Sequence, residues 1–488
     1  MRRAIYAAMA AAALSGTAAQ ANVILLAKGS IEGSSAGIGK DLSGLTGTLE
    51  NGVAGNVLGG MGSALAYAGG TTFLATPDRG PNALSYNSAL DDTTSYISRF
   101  QTLDLKLVQN AAGSALPFSL STLLYKTTLL SSPTTLNYGT GAGLGNKIDG
   151  TPIGSGAPSA NTAGTYYFTG RSDNFGAGNS GNPDNARLDP EGIRVSNDGN
   201  TVFVSDEYGP YLRQFDRRTG QLLRTYTLPA NLDVSNLSPV GNTEISGNTS
   251  GRVANKGMEG LAITPDGKTL VGIVQAPLIQ DAADPASAKL LRIVTVDIAT
   301  GATHEYGYNL TTGSGVSEIV ALNDHQFLVD ERDGKGLGDG STAKVKQIFK
   351  IDIAGATDIT NLTGAAAAAA AVSKPASPFL DLVTALGANG VTAANVPAKI
   401  EGMAIGQDVT LNGQLYHTLF VANDNDFVPA MAGTNQFFVF GFTDADVSGF
   451  VAQQVAAIPE PRSWAMLITG FGLIGAALRR RVRSLTSA

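Results

Sequence analysis

Short β-type runs, four to eight residues long and separated by turn residues, set the rhythm of this chain. They are Thr201–Val204, Leu222–Leu228, Leu261–Thr264, Thr269–Val274, Leu290–Asp297, Gln326–Val329, Val345–Ile351, Thr418–Val421 and Gln436–Phe440. β-Branched and aromatic residues fill them, as pleated strands prefer. Between them stand Asn197-Asp198-Gly199-Asn200 and Pro265-Asp266-Gly267-Lys268, where Asx and glycine supply the positive φ of tight hairpin turns. Hairpins repeated through most of a 488-residue chain predict an all-β fold, a β-propeller. Radial repetition lets such a domain grow without long exposed edges.

The rhythm lapses in a few places. Residues 22–58 are Gly/Ser-rich and predict an irregular lead-in. Residues 140–164 predict a loop rich in Gly, Ser, Pro and Asn. Gly364–Pro375 carries seven consecutive alanines, Ala365–Ala371, and predicts a surface insertion with a short helix. Residues 446–457 predict a linker, which leaves 59–445 as the propeller domain.

Both ends carry export features. Met1-Arg2-Arg3 is followed by a small-apolar run from Ala4 to Ala13, and Ala19-Gln20-Ala21 has the small-x-small form of a signal-peptidase site. Residues 1–21 therefore predict a signal peptide cut after Ala21. The C-terminal residues 458–488 hold Pro459-Glu460-Pro461, an apolar run from Trp464 to Leu478, and the cluster Arg479-Arg480-Arg481-Val482-Arg483. This order resembles the PEP-CTERM sorting signal. The resemblance implies a single apolar helix held transiently in the inner membrane of a Gram-negative-type cell, its arginines inside. It also implies processing by an exosortase after export to the periplasm, cell surface or medium.

Composition narrows the chemistry. Gly is high at 60 and charged residues are few at 15%, which suits a turn-rich β protein. There is no cysteine, so thiolate chemistry is excluded and an exported domain must rest on its core rather than on disulfides. The net charge of −7, with no basic patch outside the tail, argues against nucleic acid as a partner. His304, His325 and His417 lack metal-ligand spacing and read as surface or strand residues. Gly33-Ser34-Ser35-Ala36-Gly37 fits the hydrolase elbow pattern, but no strand-to-helix turn surrounds it.

Acids recur in one pattern. Asp189-Pro190-Glu191-Gly192 precedes a hairpin ending Asp206-Glu207; Met258-Glu259-Gly260 precedes one ending Val274-Gln275. Ser317-Glu318-Ile319 precedes one ending Asp330-Glu331-Arg332; Ile400-Glu401-Gly402 precedes one ending Asn423-Asp424-Asn425-Asp426. The start of one strand lies beside the end of the next. A two-residue turn sets Glu191 opposite Asp206, and a bulge sets Glu207 there instead. Within Asp206-Glu207 and Asp330-Glu331, alternation sends one member of each pair away. If these ends converge on a propeller channel, carboxylates accumulate there and repel. A hard cation such as calcium resolves that conflict. The candidate metal ligands are Glu191, Asp206, Glu259, Glu318, Glu401 and Asp424. The same residues also fit a plainer role, as blade corners bonded to backbone amides. Asp78, Arg79, Lys256 and Arg332 are candidates for binding a substrate anion. Glu207 and Glu331 are candidate general bases, with Arg79 and Arg332 as catalytic cations.

These motifs, with Gly59-Gly60-Met61, Asp78-Arg79-Gly80-Pro81, Asn255-Lys256-Gly257 and Asn423-Asp424-Asn425-Asp426-Phe427, resemble the "esterase-like activity of phytase" family from about Gly59 to Phe440. This chain departs from the family pattern at Thr76-Pro77, ahead of Asp78-Arg79, and in its alanine-rich insertion. The resemblance implies an exported propeller, with six blades by analogy, that hydrolyses ester or phosphate-ester bonds. A small anionic ester is then the expected substrate. A calcium-binding matrix protein that holds exopolysaccharide, and a lactonase-like enzyme, remain alternatives.

Overall fold

The computed structural model describes residues 22–31, 39–83, 93–140, 146–147, 150–172, 181–236, 238 and 241–456. The signal peptide, the Gly33–Gly37 pattern and the sorting tail lie outside these residues. No helix among the described residues is long and apolar enough to cross a membrane.

Five antiparallel blades form the fold among the described residues: four have four strands, and the fifth adds the short strand Val409–Leu411. Blade 1 comprises Ala64–Tyr67, Thr72–Thr76, Arg99–Gln109 and Phe118–Leu129. Blade 2 comprises Pro190–Val195, Thr201–Asp206, Tyr211–Asp216 and Leu222–Thr227. Blade 3 comprises Met258–Ile263, Thr269–Val274, Leu290–Asp297 and Thr303–Asn309. Blade 4 comprises Gly315–Ala321, Gln326–Arg332, Lys346–Asp352 and the short Leu380–Asp381. Blade 5 runs outward through Lys399–Ile405, Gln414–Asp424 and Asn435–Phe442, then takes Ile24–Ile31 as its outer strand. The inner strands touch in ring order, and that of blade 5 meets that of blade 1.

The blade count is therefore five, not six. The chain length that a sixth blade would need goes instead into long connections. One joins blades 1 and 2; among its described residues Ser131–Ser132 pairs with Tyr166–Tyr167, and isolated bridges such as Asn137 to Asn185 tie down the rest. The other lies in blade 4 and carries the helix Gly364–Ala369, which forms inside the alanine run as expected. The lead-in also differs from its expectation. Ile24–Ile31 pairs along Asn435–Gly441, so the N-terminus closes the ring. Its apolar residues Leu25 and Leu26 are buried.

Each blade interface has its own apolar core, because both faces of a propeller sheet are covered. Phe100, Ile193 and Phe215 fill the joint between blades 1 and 2; Phe203, Leu261 and Leu270 fill the next. Ile273, Ile319 and Phe327 join blades 3 and 4; Leu328, Ile400 and Phe438 join blades 4 and 5. Between blades 5 and 1, Phe73 and Phe420 meet at 4.4 Å between ring centres. Each such side chain, fully buried, contributes about 1.5–3 kcal/mol.

Two features block the central channel. Arg194 lies across it, donating to Leu65 O at 2.7 Å, Ile193 O at 2.6 Å and Ile319 O at 2.9 Å. It also pairs with Glu318 at 3.1 Å, and Glu318 Oε1 accepts from Leu261 N at 3.0 Å. This crossbar ties blades 1, 2, 3 and 4 together. At the far end, the segment expected as a linker runs over the opening. Val451 N donates to Leu322 O, Gln453 Nε2 to Val195 O, and Ala456 N to Asn197 O, each at 2.8 Å. A cavity of about 280 Å³ lies under it, lined by Tyr67, Arg194, Gln407 and Gln453 among others.

Candidate functional site

The other end of the channel is open, and there the acid motifs meet. Four inner strands shift register at their motif: between Pro190 and Ile193, Met258 and Gly260, Val316 and Glu318, and Ile400 and Met403. An extra residue in one strand re-aims its neighbours. In blade 2 it sits in the inner strand, so Asp206 faces Pro190, and neither pairing read from the sequence is the one formed. The bulges leave Glu191, Glu259 and Glu401 lining the mouth, with Ser317 in the matching place of blade 4. The glycine after each of these Glu residues has a packing cause. A Cβ on Gly260 would stand 2.8 Å from Glu318 Cα of the next blade, and one on Gly402 2.9 Å from Gly62 O.

The ends of the second strands supply another layer: Glu207, Gln275, Arg332 and Asp424, joined by Asp78 just past Thr76. The mouth is a cavity of about 270 Å³ lined by Arg79, Glu191, Glu207, Lys256, Glu259, Gln275, Arg332, Lys399 and Glu401 among others. Lys256 is exposed at its rim, whereas Glu191, Glu207, Glu259 and Glu401 are buried.

Three groups of acids divide the mouth. In the first, carboxylate oxygens of Asp189, Glu191 and Glu207 lie within 4.8 Å of one another. Arg79 Nη1 stands 3.2 Å from Asp189 and 3.8 Å from Glu207, and it also reaches Asn255. Glu207 Oε1 accepts from Gly257 N at 3.1 Å. The Glu191 side chain makes no hydrogen bond or ion pair with any described residue. It is 6% exposed. Burial, then the charges of Asp189, Glu259, Glu207 and Asp78, hold its carboxyl well above the usual range.

In the second group, Asp78, Asp424 and Asp426 converge within the same 4.8 Å limit. Lys399 neutralises part of their charge, at 3.0 Å from Asp424 and 2.6 Å from Asp426. Burial raises Asp78 and Asp424, whereas at Asp426 the lysine outweighs burial and lowers it. In the third, Arg332 bonds Glu401 and lies 3.5 Å from Glu259. Gln275 donates to Glu259 Oε1 at 2.7 Å. Burial, then the charge of Glu401, pushes Glu259 up to about 8. The Oε2 atoms of Glu259 and Glu401 are buried without a hydrogen-bond partner.

Backbone strain marks the same rim. The non-glycine residues with positive φ among the described residues are Asn255, Asn412, Asp426 and Phe427. All but Asn412 border the mouth. Such conformations cost about 1–3 kcal/mol each and cluster where function requires them.

Three expected ligands or bases are elsewhere. Asp206 turns to its own blade: its Oδ1 accepts from Asp189 N and Tyr208 N, and its Oδ2 lies 3.8 Å from Arg213. Glu318 aligns with Gly260 rather than Glu259, and so sits one step deeper, in the crossbar. Glu331 points away from the channel. It pairs with Lys374 and accepts from Tyr308 Oη at 2.6 Å and from Thr311 N at 3.2 Å. Those partners outweigh its burial and hold its carboxyl below the usual range, which leaves no free base. Asp330 takes the inward place, with Ser317 Oγ at 3.4 Å. Asp189, Lys399 and Asp426 complete the mouth and are absent from the expected set; Asp189 and Asp426 lie inside motifs already singled out, and Lys399 immediately precedes Ile400-Glu401-Gly402.

The fold and mouth define an acid-lined β-propeller whose channel, among the described residues, opens at the acid-bearing end. The sequence profile of the family described as "Phytase-like: Esterase-like activity of phytase" matches residues 56–427, and the chain belongs to that family. A relative, an uncharacterized secreted protein of Arthroderma benhamiae, is 32% identical over 328 residues. That match covers 57% of this chain and 60% of the relative. Likeness to solved structures is loose. Kuenenia stuttgartiensis hydrazine synthase has a TM-score of 0.30 at 13% identity, over 76% of this chain and 79% of that one. A Xanthomonas campestris gluconolactonase has 0.29 at 10%, over 86% and 97%.

Proposed function

We propose that this protein is an exported hydrolase of phosphate or other ester bonds, with calcium held at the channel mouth. The observation that carries this reading is Glu191, a buried carboxyl crowded by Asp189 and Glu207 while Arg79 pairs with those two acids instead. An all-oxygen set from Asp189, Glu191 and Glu207 fits a hard cation. When bound, such a cation polarises an ester or phosphoryl oxygen and offsets substrate charge. The chain's own groups do the rest. Arg79, Lys256 and Arg332 orient an anionic substrate. Glu259 and Glu401 present unpartnered oxygens that can take or give a proton at the reacting oxygen. The family's description supports the bond class, and the secreted relative supports export.

The test is turnover of phytate, an aryl phosphate, an aryl acetate and a lactone, with calcium and with a chelator. Calcium-dependent hydrolysis of any one identifies the bond class. Glu191→Gln should lower that turnover at least 100-fold and remove stabilisation by calcium, while the protein stays folded. A fully active variant, still stabilised by calcium, would exclude this site. A folded, calcium-stabilised protein that turns over none of the four would instead be a binding scaffold.

A further inference from the structure

The strand that closes the ring begins two residues after Asn22, and Asn22 has a partner far along the chain. Its backbone nitrogen donates to Asp446 Oδ1 at 2.7 Å. The other oxygen of that carboxylate is fixed: Asp446 Oδ2 accepts from Thr443 N at 2.8 Å and Thr443 Oγ1 at 2.7 Å. Asp446 is half-buried and follows directly on Asn435–Phe442, the strand that Ile24–Ile31 pairs with. A carboxylate is thus held ready at the start of the closing strand. In the sequence, the bond before Asn22 is the one after Ala19-Gln20-Ala21.

We propose that cleavage between Ala21 and Asn22 creates an α-ammonium group that pairs with Asp446 and latches the closing strand. Water adds across the peptide bond under signal peptidase. Ala21 leaves with a new carboxylate, and the Asn22 nitrogen gains protons to become an ammonium ion. A neutral amide donor at Asp446 is replaced by a charged one, and charge-assisted hydrogen bonds are stronger. Burial of the carboxylate is outweighed by the Thr443 and Asn22 hydrogen bonds, which hold it below the usual range, so it is ionised at neutral pH. The α-amino group ordinarily titrates near 8 and is largely charged there too. Export and ring closure thereby become linked: the uncleaved chain lacks the charge that secures its first strand. The latch is independent of what the channel mouth does.

The test has two parts. The intact mass of the exported protein should place its first residue at Asn22; a start anywhere else overturns the proposal. Amide hydrogen exchange over Ile24–Ile31 is then compared with and without acetylation of the α-amino group, in the native protein and in Asp446→Asn. Acetylation should speed exchange about 2- to 5-fold in the native protein, as expected for a part-exposed ion pair, and leave Asp446→Asn unchanged. Thr443→Ala serves as a second variant should Asp446→Asn fold poorly. It loosens the carboxylate and should shrink the acetylation effect. Equal acceleration in native and variant proteins would mean that Asp446 does not hold the terminus.

Discussion

Glu191, which opens one acid motif, and Glu331, which closes another, meet opposite fates. Glu191 is buried among acids with no cation of its own, whereas Glu331 is locked by Lys374 and Tyr308. Composition does not separate them; strand alternation and the bulge do. The sequence shows that one member of Asp330-Glu331 must point away, but not which. Lys374, which claims Glu331, lies 43 residues downstream in the alanine-rich insertion, and nothing in a local motif points to it. Residue chemistry also sets how stability depends on pH. Glu259 releases its proton near pH 8 when folded, against 4.5 ordinarily. Between these values the folded state holds more protons than the unfolded one, so stability falls as pH rises from about 5 to about 8. Asp330 and Glu318, each pushed up to about 7 by burial, act in the same direction. Chelator-treated protein should therefore melt at a higher temperature at pH 5 than at pH 8, and calcium should recover stability at pH 8. A melting temperature that climbs across that range would contradict the buried-acid account.

Among the elements, hairpins are the most legible feature. Thr269–Val274 and Leu290–Asp297 form with the predicted ends, and the other predicted runs all lie within or overlap strands. Short β-branched and aromatic runs and Asx-Gly turns are local signals, so local reading finds them. Ile24–Ile31 escapes because its partner is over 400 residues away and its neighbours are small and polar. The Glu-Gly pairing is read as chemistry in the sequence, but half of it is packing. Glycine is there because the next inner strand passes within van der Waals distance. Gly402→Ala would place a methyl 2.9 Å from Gly62 O and 3.0 Å from Leu65 N, both backbone atoms. Forcing atoms into a packed joint costs about 1–3 kcal/mol. Urea unfolding should show that loss. An unchanged midpoint would mean that the inner strands can part more easily than their spacing suggests.

For the whole molecule, fold class was legible and blade number was not. Repetition along a chain shows that blades exist. Their number depends on the twist and spacing at which the inner strands close, and long insertions hide the period. The convergence of the acids is likewise a property of closure, since each hairpin alone brings only its own residues together. The crossbar and the strap, the segment from Val451 to Ala456 that runs over the far opening, also belong to this scale. Arg194 and Glu318 sit in different blades, 124 residues apart in the chain, and the strap comes from a segment with no distinctive composition.

Arg194 and the strap make the channel a dead end, and that shapes traffic through it. In the proposed hydrolysis, whatever is cleaved at the mouth has no second exit among the described residues. The acid or alcohol fragment that lies deeper must retrace the substrate's path before another molecule can come in. Product and substrate therefore contend for one doorway, and the deeper fragment should act as a competitive inhibitor in initial-rate measurements. Non-competitive inhibition by that fragment would reveal a second way out.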